Sequence, residues 1–193
     1  MKTVDETYSD LLEKDAAAQG YLGEALASFC LIDEYLHDAV SFEDPERIQD
    51  AIETIAEYKT DFETYMELAA PLMREETEYG SDESGNYLYI NDKELFETTM
   101  TYYEQYIVAI DEIIAEIGNV DEAEIQSQLV EKIDPIYDPL YDGIFELISI
   151  KQDATVHGSD RASYRTQGTE YFMYAMIIFV GLVAVVYGVI LAN

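Results

Sequence analysis

The chain predicts an all-α fold, an antiparallel up-down-up-down four-helix bundle whose long fourth helix continues into a C-terminal transmembrane helix. Three observations carry this. Apolar residues recur every three or four positions through four long segments, the spacing of helices that interlock at shallow crossing angles. The breaks between those segments hold the proline, glycine and asparagine residues that end helices. The stretch Tyr171 to Ala192 (YFMYAMIIFVGLVAVVYGVILA) has no charge, whereas every Lys, Arg, Asp and Glu lies before it. The chain thus divides into a bundle over residues 1–168 and a membrane helix over 169–193.

The first helix is expected from about Val4 to Val40. Its seam is Val4, Tyr8, Leu11, Ala18, Leu22, Ala25, Phe29, Ile32, Leu36 and Ala39, with Asp15 the one position out of character. After a break at Ser41, Asp44 and Pro45 supply an N-cap and a first-turn proline. The second helix is expected from Pro45 to Glu78, with Ile48, Ile52, Ile55, Tyr58, Phe62, Met66, Ala69 and Met73 in its seam. Pro71 lies inside that pattern and is expected to kink it or end it early. Tyr79 to Asn91 (YGSDESGNYLYIN) is turn-rich and is expected to be a loop joining the second and third helices.

The third helix is capped by Asn91 or Asp92 and carries Leu95, Thr99, Tyr102, Tyr106, Ala109, Ile113 and Ile117, with Gly118 and Asn119 at its end. The fourth starts near Asp121 and carries Ile125, Leu129, Ile136, Leu140, Ile144, Leu147, Ile150 and Ala154. Its Pro135 and Pro139 predict a bend without a break, because the apolar period resumes in phase. A continuous rod is expected from there to Ala192. The terminal stretch would extend roughly 33 Å at about 1.5 Å per residue, enough for a hydrocarbon core about 30 Å thick. Tyr171, Tyr174 and Tyr187 stand where aromatic rings favour the interface, and Met176, Phe179, Val183 and Leu191 are expected to be membrane-spanning with them. As the fourth helix runs down to the membrane, the first must start beside it.

Ten basic residues against 41 acidic ones leave a formal charge of −31. That argues against nucleic acid, whose phosphates are bound by Lys and Arg, and against anionic lipid head groups. A host of high ionic strength would screen such self-repulsion. Cys30 is the only cysteine, so no intrachain disulfide is available. The opening MKTVDETYSD shows no apolar leader.

No glycine-rich phosphate loop, nucleophile elbow or Cys-based metal pattern occurs, and an enzyme is not expected. Glu34 and His37 have the E-x-x-H spacing of di-iron bundles, but the partner motif is missing: Ala154 stands three residues before His157. No metal or cofactor is expected. Asp82, Glu83, Asn86 and Asp92 lack the spacing of a calcium loop and are expected to be a solvated acidic loop. Asp15 and Lys132 break their seams from levels too far apart to pair. Tyrosine is abundant, with 17 residues and no tryptophan. Tyr58, Tyr102 and Tyr106 lie in seams with Tyr65 and Tyr103 flanking. A crevice lined by Tyr58, Tyr65, Tyr102 and Tyr106 is a candidate small-molecule site, the alternative being that these rings fill a long core.

Helix one (AAAQGYLGEALASFCLIDEYL), the D-P-E-R start of helix two and the close of helix four (ASYRTQGTEYFMYAMIIFVGLVAVV) resemble the four-helix-bundle sensor domain of methyl-accepting chemotaxis receptors. The resemblance implies an extracytoplasmic, membrane-anchored domain for signal transduction. It would dimerise along its helices, bind a small ligand or an extracytoplasmic binding protein, and signal through its last helix. Amino-acid-binding members use arginines in helix one; this helix one has none, so no ligand residue is carried over. A competing expectation is a tail-anchored structural or adaptor bundle without a small-molecule ligand. Lys151, Arg161 and Arg165 precede the span with nothing basic after it, which by the positive-inside rule favours that cytoplasmic placement.

Overall fold

The structure, a computed structural model, describes residues 4–81 and 87–157. The expected membrane span, including Tyr171, Met176, Phe179, Val183, Tyr187 and Leu191, lies outside the described residues. Within them, no helix is long and apolar enough to cross a membrane.

The described chain is mostly helical. Helix α1 is Val4–Ser41 and α2 is Pro45–Ala69, capped by the Asp44 carboxylate, which accepts from the Glu46 N–H at 3.0 Å. Pro71 ends α2 early: a single 3-10 turn, Ala70–Leu72, follows and the chain becomes extended at Met73. Helix α3 is Asp92–Glu116, capped by Asn91 and closed just before Gly118, whose φ of 82° is left-handed. A fourth rod begins with α4, Glu122–Gln128, passes through a π turn at Leu129–Ile133, and continues as α5 over 134–157. The π turn stands just before Pro135, the first of the two prolines expected to bend this helix. Pro135 would drive its ring into the carbonyl of residue 131 in a regular helix, and a wider turn just before it relieves that clash.

One segment departs from the expected loop. Thr77–Ser81 (β1) and Tyr87–Ile90 (β2) form an antiparallel ribbon with a bulge between Glu78 and Gly80. The Tyr-Leu-Tyr-Ile run has the β-branched and aromatic character of a strand, a local signal that the flanking turn residues outweighed in the sequence. The ribbon joins the end of α2 to the start of α3, and the Lys93 N–H donating to the Arg74 carbonyl at 3.1 Å closes its base.

Cross-rod contacts set the register. From α1 to α2, Tyr35 stacks on Tyr58 while Asp15 meets Arg74 beyond the α2 end. From α2 to α3, Lys59 pairs with Asp111 at 2.8 Å and Phe62 stacks on Tyr103. From α3 to the fourth rod, Glu112 holds Lys132 at 2.9 Å and Thr99 lies against Gly143. In each case a higher number on one rod meets a lower number on the next. Lys132 therefore lies partly exposed beside Glu112, and does not face inward as the seam suggested.

Leu22, Phe29, Ile32, Leu36, Ile55, Phe62, Met66, Ile110, Ile113, Leu140, Ile144 and Leu147 are buried together. On α3 the buried stripe runs through Phe96, Thr99, Tyr103, Tyr106, Ile110 and Ile113, so Tyr103 takes the interior place expected for Tyr102. A core-facing stripe is wide enough to admit either neighbour. The Phe62 ring 4.0 Å from Tyr103 fixes the choice.

Candidate functional site

Three features concentrate chemistry. The first is a buried charged node that draws on all the rods where α2 ends and α3 begins. Lys151, on α5, is wholly buried. Its ammonium pairs with Asp92, lies 3.4 Å from Asp15 Oδ1 and donates to the Leu72 carbonyl at 3.0 Å. Arg74 grips both Asp15 oxygens, at 2.6 and 2.8 Å, and its Nε donates to Thr77 Oγ1 at 3.2 Å. Thr77 donates in turn to Asp92 Oδ2 at 2.8 Å, and the Arg74 N–H donates to Asp92 Oδ1.

Two carboxylates thus meet two cations, and the donors and carbonyl around them satisfy the remaining polar atoms, as buried ions require. The ribbon is what assembles the node: its first residue is Thr77, and Asp92 follows its last strand by two positions. Asp92, in the first turn of α3, also faces the positive end of that helix. Asp15 was marked in the sequence as a seam-breaker, but its partners were not legible. Asp92 is buried and not part of a solvated acidic loop, and Lys151 is buried in the core and not only a flank of the apolar stretch. The available signal was a lone Lys one residue past Ile150, in step with Ile144, Leu147 and Ala154.

The second feature lies in the middle of the rods. Tyr106, fully buried, donates to Asp33 Oδ1 at 3.1 Å and meets Phe29 edge-on at 5.0 Å. Tyr137 lies beside the Cys30 thiol and packs on Phe29 at 4.9 Å. Burial raises the Asp33 carboxyl above its ordinary value, opposed by the Tyr106 hydrogen bond and by His37, whose Nε2 is 3.9 Å away, and reinforced by Asp134. Burial also raises the Cys30 thiol and the Tyr106 phenol, and pushes Tyr137 up to about 12.

This arrangement sets a pH dependence. A carboxyl raised in the folded state binds its proton more tightly there, so its contribution falls as pH rises through the folded value. Stability of Asp33→Asn relative to the native chain is therefore expected to increase on going from about pH 3 to pH 7, where the native carboxylate ionises. Urea unfolding across that range checks it, and a constant difference would show that Asp33 titrates normally.

The third feature is a groove of about 290 Å³ between α2 and α3. Met66, Phe96, Met100 and Tyr103 form its apolar floor, and Glu63, Glu67 and Glu104 stand around it. The Tyr103 phenol donates to Glu63 Oε1 at 3.3 Å. Burial, then the Glu63 charge, raises the Tyr103 phenol, keeping it a neutral donor.

The four tyrosines of the expected crevice have different surroundings. Tyr106 is interior, Tyr58 stacks on Tyr35, and Tyr65 and Tyr102 are half-buried against the core. Among the described residues no ring contact joins any two of the four. Glu34 is exposed on α1, and His37, with which it forms the E-x-x-H spacing, lies beside Asp33. Comparison with protein-family models, curated proteins and solved structures finds no match to this chain.

Proposed function

We propose that the chain is a membrane-anchored, extracytoplasmic sensory domain. Its rods form an up-down-up-down four-helix bundle that binds a small ligand or protein partner, pairs with a second copy along its helices, and signals through its last helix. The charge-free stretch from Tyr171 to Ala192 supports the anchor, and the antiparallel contacts between successive rods support the bundle. The observation that carries the reading is Lys151. It fastens the helix that leads towards the apolar stretch to α1, to the end of α2 and to the first turn of α3.

A ligand that changed the spacing of α2 and α3 would act on Arg74 and Asp92, and through them on Lys151. A ligand shifts an equilibrium only by its differential affinity for the two arrangements, and a buried ionic node has few arrangements of comparable energy. The last helix would thus move in a discrete step. Tyr58, Tyr65, Tyr102 and Tyr106 enter this proposal as residues whose surroundings such a step would alter.

Protease protection on intact cells tests the reading. Digestion of the bundle without opening the membrane is the expected result. Protection until the membrane is permeabilised would overturn it and favour the adaptor with its bundle offered to cytoplasmic partners.

A further inference from the structure

The α2–α3 groove combines an apolar floor with a rim of one charge sign. Met66 and Tyr103 are 1% and 3% exposed and form the base of the floor, while Met100, half-buried, offers its more accessible apolar surface. Tyr103 is held from behind by Phe62, stacked at 4.0 Å, and its hydroxyl is held by Glu63. The aromatic and thioether wall is therefore preformed. Glu63 and Glu67 are one helical turn apart on α2, a spacing at which like charges repel, and Glu104 adds a third carboxylate from α3. Among the described residues no basic side chain pairs with any of the three. Lys59, one turn away on α2, is engaged by Asp111.

An occupant of this groove must supply positive charge at the rim and apolar surface at the floor. We infer that the groove binds a small organic cation, an ammonium or quaternary ammonium group on a short apolar body. Inorganic cations fit the rim but leave the floor without a partner. Neutral apolar molecules fit the floor but leave the carboxylates repelling. Aromatic faces and methionine sulfurs favour alkylated ammonium groups, whose charge is diffuse and weakly hydrated. The volume is near the lower limit of small-molecule sites, which suits a ligand the size of choline. This assignment rests on the sensory reading and names the ligand class of that domain.

The test is isothermal titration of choline into the full-length protein purified in detergent, at physiological salt. Saturable binding is expected, weakened at least tenfold in the triple variant Glu63→Gln, Glu67→Gln, Glu104→Gln. The control triple Glu46→Gln, Glu53→Gln, Glu57→Gln, which removes the same charge elsewhere on α2, is expected to bind within twofold of the native chain. 3,3-Dimethylbutan-1-ol, the neutral isostere, is expected not to bind. Equal weakening by both triples would assign binding to the overall negative charge and overturn the site. So would equal binding of the neutral isostere, or no saturable binding of choline. Absence of binding with the bundle digestible from outside the cell removes this ligand class but leaves the sensor. Specific binding with the bundle protected keeps the site and removes the extracytoplasmic placement.

Discussion

Replacing Lys151 with methionine is expected to destabilise the fold by about 3–5 kcal/mol, the usual cost of leaving buried charges without their partner. Methionine keeps an unbranched chain of similar length, so packing around the stem changes little. What is lost is the ammonium that faces Asp92 and Asp15 and that the Leu72 carbonyl accepts from. Asp92 keeps Thr77 and the Arg74 N–H, and Asp15 keeps the Arg74 guanidinium. Two carboxylates then remain with one cation between them in an enclosed space. Adding Asp92→Asn removes the excess negative charge, and the double variant is expected to recover part of the loss. The two substitutions should be non-additive, because the side chains touch. Urea unfolding followed by circular dichroism reads both quantities. A Lys151→Met variant within about 1 kcal/mol of the native chain would mean that water or rearranged neighbours replace the ammonium.

Gly143→Ala should show how tightly α3 and α5 are packed. A methyl group at this position would sit 2.5 Å from Thr99 Oγ1 and 3.3 Å from Thr99 Cβ and Cγ2. Threonine is stiff at χ1, and its hydroxyl is committed to the Leu95 carbonyl at 2.8 Å, so it cannot swing aside freely. The helices must separate or the side chain must leave its rotamer. Overpacking of this kind costs about 1–3 kcal/mol, against roughly 1 kcal/mol that alanine returns in helix propensity. A net loss of about 0–2 kcal/mol is expected. Thr99→Ala removes the nearest atom, so in that background Gly143→Ala should become neutral or stabilising. An equal penalty in both backgrounds would show that the clash lies elsewhere. The Lys59–Asp111 and Lys132–Glu112 pairs are partly exposed and contribute little by comparison.

By itself the sequence determined where α2, α3 and α4 begin and where α3 ends. Period, caps and breakers are local, and Asp44, Asn91, Asp121 and Gly118 act where their own backbone requires them. Pro71 and Pro135 likewise act through their own ring and missing N–H, so the early end of α2 and the wide turn before 134 follow from neighbours in the chain.

Only the tertiary structure decided which side chains meet. Asp15, Arg74, Asp92 and Lys151 are far apart in sequence, and nothing local distinguishes a buried aspartate at the start of α3 from one in an acidic loop. The ribbon that brings Thr77 to Asp92 is a pairing between two short segments, each weak alone. Tyr103 displaced Tyr102 from the interior because Phe62 faces it from another helix. The groove between α2 and α3 exists because registers across two rods set Met66 beside Phe96 and Glu63 beside Tyr103. Local rules place a residue on a helix face; the partner across that face is set by packing, which the sequence expresses only when all the rods come together.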